Sequence, residues 1–323
     1  MRLTRRTLLA ALPLTLPGLA RAQSFAQRPI RLVVSFGPGG GADLIARLMA
    51  PTMAEQLGQQ VVIENRAGAG GNVAATAVAR SAPDGHTLLV TNPGPFSINQ
   101  FIYPPPPPFV PERDLAGVVL MAEMPHVLVA TRAVPVNTLA EMIAYAAANP
   151  ARVNYGSGGI GSSGHLSFEL LKLRTGMVIP HVPFRGSGDV MKAVLGGDVQ
   201  FALDTLPVYA ERIQDGGVRA LAMGSARRAP TMPNLPTVME SGVADFTAGV
   251  WFGMAVPKAT PRPVVAQLNA AARLALAKPD VVERLRLLGA APMGGSAEDA
   301  DRYFAQEALK WQDIAVRTNT RVE

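Results

Sequence analysis

Five loops hold the residues of this sequence that could do chemistry: FGPGGGAD (36–43), NRAGAGGN (65–72), TNPGPFS (91–97), YGSGGIGSSGH (155–165) and FRGSGD (184–189). Each comes after a β-like apolar run and places Gly, Ser, Thr or Asn before a helical or turn pattern. Backbone N–H groups at a helix start have no intrahelical partner and sit at the positive end of the helix dipole. They therefore suit a carboxylate or phosphate. Taken singly, each loop reads as a tight turn or N-cap that needs Gly and Ser anyway. Five at strand ends read as donors assembled around a small anion, rich in N–H groups and poor in formal charge.

Two nucleotide readings fail on detail. Gly37-x-Gly39-x-x-Ala42 formally matches a dinucleotide fingerprint, with Glu64 near the position of a ribose-binding acid. Pro38 interrupts it, however, and Asp43 puts a negative charge in the first helical turn. A P-loop would need Gly-Lys-Ser/Thr after the turn, and none is present there.

Catalytic groupings are equally thin. There is no cysteine, which removes disulfides, thiolate metal sites and a Cys nucleophile together. No G-x-S-x-G elbow occurs, and His86, His126, His165 and His181 show no metal-ligand spacing. No catalytic residue, metal or cofactor is therefore expected. Ser162, Ser163 and His165 lie close together at a helix start, where a Ser caps and a His packs or hydrogen-bonds. Asp204 ends the apolar run VQFALD; it either contacts a ligand or caps the next turn.

The elements that must position these loops alternate between strand and helix. IRLVVSF (30–36) precedes a helix from about Ala42 with Leu44, Ile45, Leu48, Met49 and Met53 on one face, Pro51 inside it as a kink and Gly58 as its stop. Further strands are expected at 60–65, 86–92, 126–130, 153–158, 181–184, 199–204, 218–224 and 249–256. Helices are expected near 73–80, 138–148 and 163–173, from Gly188, and in three stretches at the end. YPPPPPF (103–109) reads as a stiff polyproline II surface connection. Alternation of this kind implies an α/β fold with largely parallel sheets. The architecture reads as two α/β halves, with extended segments crossing near residues 126 and 251.

The first 22 residues have a basic start, an apolar middle and a small-x-small end at Ala20–Ala22. That pattern predicts a secretory signal cut after Ala22, and Arg5-Arg6 leaves the twin-arginine route open. This segment holds four of the 30 Lys and Arg and none of the 24 acids, so the remainder carries only about +2. Without a basic, aromatic-interleaved patch, no nucleic-acid footprint is left.

Several stretches in this order resemble the periplasmic receptors of tripartite tricarboxylate transporters, the Bug receptors. They are VVSFGPGGGADLIARLMA, GQQVVIENRAGAGGNVAATAVARSAPDGHTLLV, NPARVNYGSGGIGSSGHLSFELLKLRTG, HVPFRGSGDVMKAVLGGDVQFALDTLP, VRALAMGSARRAPTMPNLPTVMESGV and WFGMAVPKATP. The resemblance implies a type II periplasmic binding protein with two Rossmann-like lobes that hinge over a cleft. Lobe I would be 23–124 with 249–323, and lobe II 125–248. It further implies a monomer that holds a small carboxylate (a dicarboxylate, tricarboxylate, acidic amino acid or aromatic acid) and presents it to two integral membrane subunits. By motif, Phe36, Gly39, Gly40, Asp43, Ala69 and Gly70 would hold the ligand from lobe I, and Ser162 and Ser163 from lobe II with Asp204 beside them. Gly37 and Ala67 stand where relatives usually have proline, and Leu203 where they have Phe. The alternative is an exported α/β hydrolase or lyase acting on a small organic acid.

Overall fold

The computed structural model describes residues 28–184 and 186–322. The expected signal segment and Arg185 lie outside the described residues.

The chain runs β1 (Ile30–Val34), α1 (Gly41–Leu57), β2 (Val61–Asn65), α2 (Asn72–Ala79), β3 (Thr87–Thr91), α3 (Asn99–Ile102), α4 (Pro111–Asp114), β4 (Leu115–Thr131) and α5 (Leu139–Ala148). It continues with β5 (Tyr155–Ser157), α6 (Ser163–Thr175), β6 (His181–Pro183), α7 (Ser187–Gly196), β7 (Phe201–Thr205), α8 (Leu206–Gln214) and β8 (Val218–Met223). It ends with β9 (Gly249–Pro257), α9 (Arg262–Ala277), α10 (Pro279–Leu287), β10 (Ala291–Gly294) and α11 (Ala297–Thr318).

The strands form one sheet path, β2-β1-β3-β9-β4-β7-β5-β6, with β10 and β8 also paired to β4. β4 makes two half-sheets out of this path. Its first half pairs with β9 and β10, and its second half, from His126, pairs with β7 and β8. A second crossing lies at Ala248, whose carbonyl accepts from the His126 N–H and whose own N–H donates to Gly224. Within each half the outer strands are parallel and the crossing strands antiparallel.

Helices cover both faces of each half, which is why the strands read as continuous apolar runs. Ile30, Leu32 and Val34 of β1 meet α1 and α9 on one face, while Val33 meets α2 and Phe304 of α11 on the other. In the second half Leu128 and Ala130 join the core around Phe168 and Tyr155. Val127 and Val129 join the one around Val190 and Tyr209. Successive residues of a strand point to opposite faces, so a single strand feeds two cores.

Helix α11 ties the halves together. Phe304 packs in the first half, whereas Trp311, Ile314 and Ala315 pack in the second. The indole N–H groups of Trp251 and Trp311 both donate to the Glu307 carboxylate, at 3.0 and 2.9 Å.

Some expectations need correction. The strand expected at 126–130 begins at Leu115, because LAGVVLMAEM carries no turn signal to part it from PHVLVAT. Helix α8 and strand β10 were not foreseen. The buried face of α1 is Ala42, Ile45, Ala46, Met49, Ala50 and Met53, whereas Leu44 is exposed. Leu44 is about 100° around the helix from Ile45, which turns it off the core-facing stripe. The proline run is an exposed connection as expected, and a cis bond joins Pro104 and Pro105.

Candidate functional site

The parallel strands point their carboxyl ends at the crossing: β1–β3 run with β4 in the first half and β5–β7 run against it in the second, so the loops after β1, β2 and β3 face those after β5 and β6. Met124 and His126 of β4 mark the flank they share, reaching toward Gly41 and Ser163. We call this flank the front.

After β1 the chain turns through the half-buried Phe36 and the exposed Gly39 and Gly40, and α1 begins with Gly40 as its N-cap. The N–H groups from Gly40 to Asp43 have no intrahelical partner. Gly41 is tightly seated, since a methyl there would come within 2.8 Å of the Phe252 ring.

Asp43 is almost fully buried, and its carboxylate takes three hydrogen bonds at 2.9 Å, from the Gly39 N–H, Arg47 Nε and Asn65 Nδ2. The same Asn65 amide donates to the Phe36 carbonyl at 3.0 Å. Burial opposes ionisation of Asp43, but the bonds from Arg47, Gly39 and Asn65 outweigh it and hold the carboxyl below its ordinary range. Gly39 and Asp43 are thus partners of each other. The acid that spoils a dinucleotide fingerprint is what pins this loop to the end of β2.

The second loop is unusual in its backbone. Gly68, Ala69, Gly70 and Gly71 have φ of 137°, 46°, 62° and 94°. Four residues in the left-handed half of the map are open to glycine, and the alanine among them is a strained exception. Asn99, on α3, holds the turn by donating to the Gly70 carbonyl at 3.0 Å and to Asn72 Oδ1 at 2.8 Å. The Tyr103 hydroxyl lies over Gly70, 2.6 Å from where a methyl would stand. Burial pushes that phenol upward.

In the second half, Ser162 is the N-cap of α6, its Oγ accepting from the His165 N–H at 3.2 Å. A capping hydroxyl keeps its own proton to donate. Ser163 Oγ is 3.3 Å from His126 Nε2. His126 is fully buried at the crossing, its Nδ1 has no partner among the described residues, and burial, with Lys310, pushes its pKa down to about 3.

His181 Nε2 meets Ser157 Oγ at 2.7 Å and its ring stacks on His165 at 4.0 Å. Burial lowers His165 to about 3 and His181 to about 4, leaving both neutral at pH 7. Neither Ser–His pair has a carboxylate bonded to its imidazole among the described residues, the third member that a Ser-His-acid relay uses.

Asp204 is buried at the end of β7. It accepts from the Thr205 N–H at 2.7 Å and from Ser187, yet burial still raises its pKa. A methyl on Gly164 would lie 2.8 Å from the Leu203 carbonyl and 3.8 Å from the Asp204 carboxyl carbon, so the acid lies against the start of α6.

The structure therefore gathers Phe36, Gly39, Gly40 and Asp43 into one loop, Ala69 and Gly70 into a second, and Ser162, Ser163 and Asp204 around a third helix start. Gly161 meets Ile102 of α3, which packs in the core of the second half. Sequence reasoning passed over Asn65, Asn99, Tyr103 and His126. Asn65 and Asn99 carry a legible signal, being amides at a strand end and a helix start. Among the described residues no cluster of three His, Cys, Asp or Glu could hold a metal, and no helix is long and apolar enough to cross a membrane.

Comparison with known proteins agrees with this fold. The family model of the tripartite tricarboxylate transporter family receptor matches residues 45–319. Protein BugT of Bordetella pertussis (strain Tohama I) is 35% identical over the whole of both chains. Among solved structures, an R. palustris protein with adipate superposes with a TM-score of 0.81 at 35% identity, covering 92% of this chain and 99% of that one. MatC from Rhodopseudomonas palustris with bound malate gives 0.77 at 35% identity, covering 90% and 99%. The similarities span nearly the whole described chain, which belongs to the tripartite tricarboxylate transporter family receptors.

Proposed function

We propose that this protein is a periplasmic receptor that captures a small carboxylate at the front, between lobes 23–124 with 249–323 and 125–248, and presents it unchanged to a tripartite transporter with two integral membrane subunits. The observation that carries the reading is the meeting of two helix starts and a left-handed glycine turn on one flank of the crossing strands. The related structures with adipate and malate support the ligand class.

In this reading the donors are the N–H groups of Gly40, Ala69 and Gly70 and the hydroxyls of Ser162 and Ser163. Phe36 supplies an apolar wall. Gly39 and Asp43 fix the first loop, and Asp204 fixes the start of α6. The receptor acts as a monomer. Residues 1–22 are its export signal, so N-terminal sequencing of the periplasmic form should begin at Gln23; an intact Met1 form there would count against it.

A hydrogen bond to a charged group contributes about 1.5–3 kcal/mol. Calorimetry with C4 to C6 dicarboxylates should find one that binds. Replacing one of its carboxylates by a carboxamide should weaken binding at least about tenfold, roughly 1.4 kcal/mol. The amide sets an NH₂ against N–H donors and weakens several bonds together. Ser162→Ala removes one donor and should cost less. Equal affinity for acid and amide would sink the N–H cradle.

A further inference from the structure

Opposite the glycine loops, across the crossing strands, lies a second groove of about 510 Å³. Its walls come from the residues around β10 and α10 in the first half and from those that follow β7 and β8 in the second, gathered at the crossing. One wall is Val282 and Pro292 of the first half, and the other is Leu206 and Ala229 of the second. Glu123 and Pro125, just before the crossing, also line it. The halves touch beside it, where a methyl on Gly289 would meet the Pro207 ring at 3.1 Å. Alternation along β4 separates the two sides: Met124 reaches toward Gly41 and His126 toward Ser163, whereas Glu123 and Pro125 line the back groove.

Its charges are simple. Arg286 is bonded twice to Glu283 at 2.8 Å, and Arg228 to Glu240 at 2.8 Å. Arg227 makes no ion pair or side-chain hydrogen bond among the described residues and leaves one uncompensated positive charge at the rim. Burial, and then Glu307, push the Glu123 carboxyl upward. An apolar trough of this volume lies within the range that holds small ligands.

We propose that this back groove is a second ligand site, taking a monoanion with an apolar body such as a medium-chain carboxylate, its head on Arg227 and its chain between the two halves. The site is separate from the front reading and does not depend on it.

The test is calorimetry with octanoate on the wild type, Arg227→Glu and Ala291→Phe, with octanamide as the neutral control. Arg227 and Ala291 are both exposed at the groove, so charge and space are altered separately. Octanoate should bind the wild type saturably, bind at least tenfold more weakly to each variant, and outcompete octanamide. Absence of saturable binding, equal binding of octanamide, or octanoate affinity unchanged in both variants would overturn the proposal. The last outcome would place octanoate elsewhere, for example in the front cleft, which neither substitution touches.

Discussion

Asp43→Asn should lose about 2–3 kcal/mol of stability at neutral pH and bind its carboxylate at least about tenfold more weakly. The wild-type carboxylate is almost fully buried and satisfies Gly39, Arg47 and Asn65 together. An amide turns an NH₂ toward one of those donors and removes the charge that strengthens the other bonds. Leaving polar partners of a buried charge unmatched is costly, and the exposure of Arg47 keeps the loss at the lower end. With the Gly39 N–H released, the loop that presents Gly40 loses its anchor, so affinity falls with stability.

The pH dependence has a definite sign. Asp43 has a folded pKa below its unfolded value of about 3.8. Its stabilisation is therefore fully present above the unfolded pKa and is lost as pH falls through the folded one. Denaturant melts of both proteins should show a gap that is constant from neutral pH down to about 5 and closes below about 4. A gap that persists in acid would show that Asp43 acts by shape rather than by charge.

Gly161→Ala should abolish high-affinity binding, with affinity falling on the order of a hundredfold. Gly161 has φ of 76°, and its α-carbon faces Ile102 so closely that a methyl would overlap Cδ1 of that side chain. The left-handed conformation alone costs an L-residue roughly 1–2 kcal/mol. The larger consequence is geometric, because Ile102 is fully buried in the core of the second half and has little room to yield. An added methyl pushes the turn at 159–163 away from α3 and moves Ser162 and Ser163 off the other donors.

Ile102→Val deletes the Cδ1 in the way and by itself costs about 0.5–1.5 kcal/mol of stability. In the double variant the overlap is gone and much of the affinity should return, although the strain at residue 161 stays. Calorimetry on the four proteins of this cycle measures the coupling. Strictly additive losses would show that the contact of Gly161 with Ile102 is irrelevant to binding.

Much of the framework was legible because local signals and the tertiary fold agree. The 3.6-residue spacing of Ile45, Met49 and Met53 and the glycine stop at Gly58 located α1, and Ser162 announced its cap before α6. Strands covered on both faces stood out as the apolar runs at Ile30–Val34 and Phe201–Thr205. Strand β4 was only half seen, since an apolar run without punctuation does not tell strand from helix or one strand from two. Its double role, between β9 and β10 in one half and between β7 and β8 in the other, leaves no local mark.

The site divides in the same way. Residue types alone determined that the strand ends would offer glycine and serine donors to an anion, because only Gly accepts the left-handed backbone found at 68 and 70–71, and Ser caps helices well. They did not determine which donors were already taken. That Asn65 is bonded to Asp43, that Asn99 grips Gly70, and that His126 sits buried beneath Ser163 are facts of partners 22, 29 and 37 residues apart. The reason is physical: helix periodicity, turns and caps are set by neighbours in the chain, whereas a buried hydrogen bond depends on which distant elements the sheet order brings together. In this protein the crossing is built on β4, whose alternate side chains face the glycine loops on one side and the apolar groove on the other.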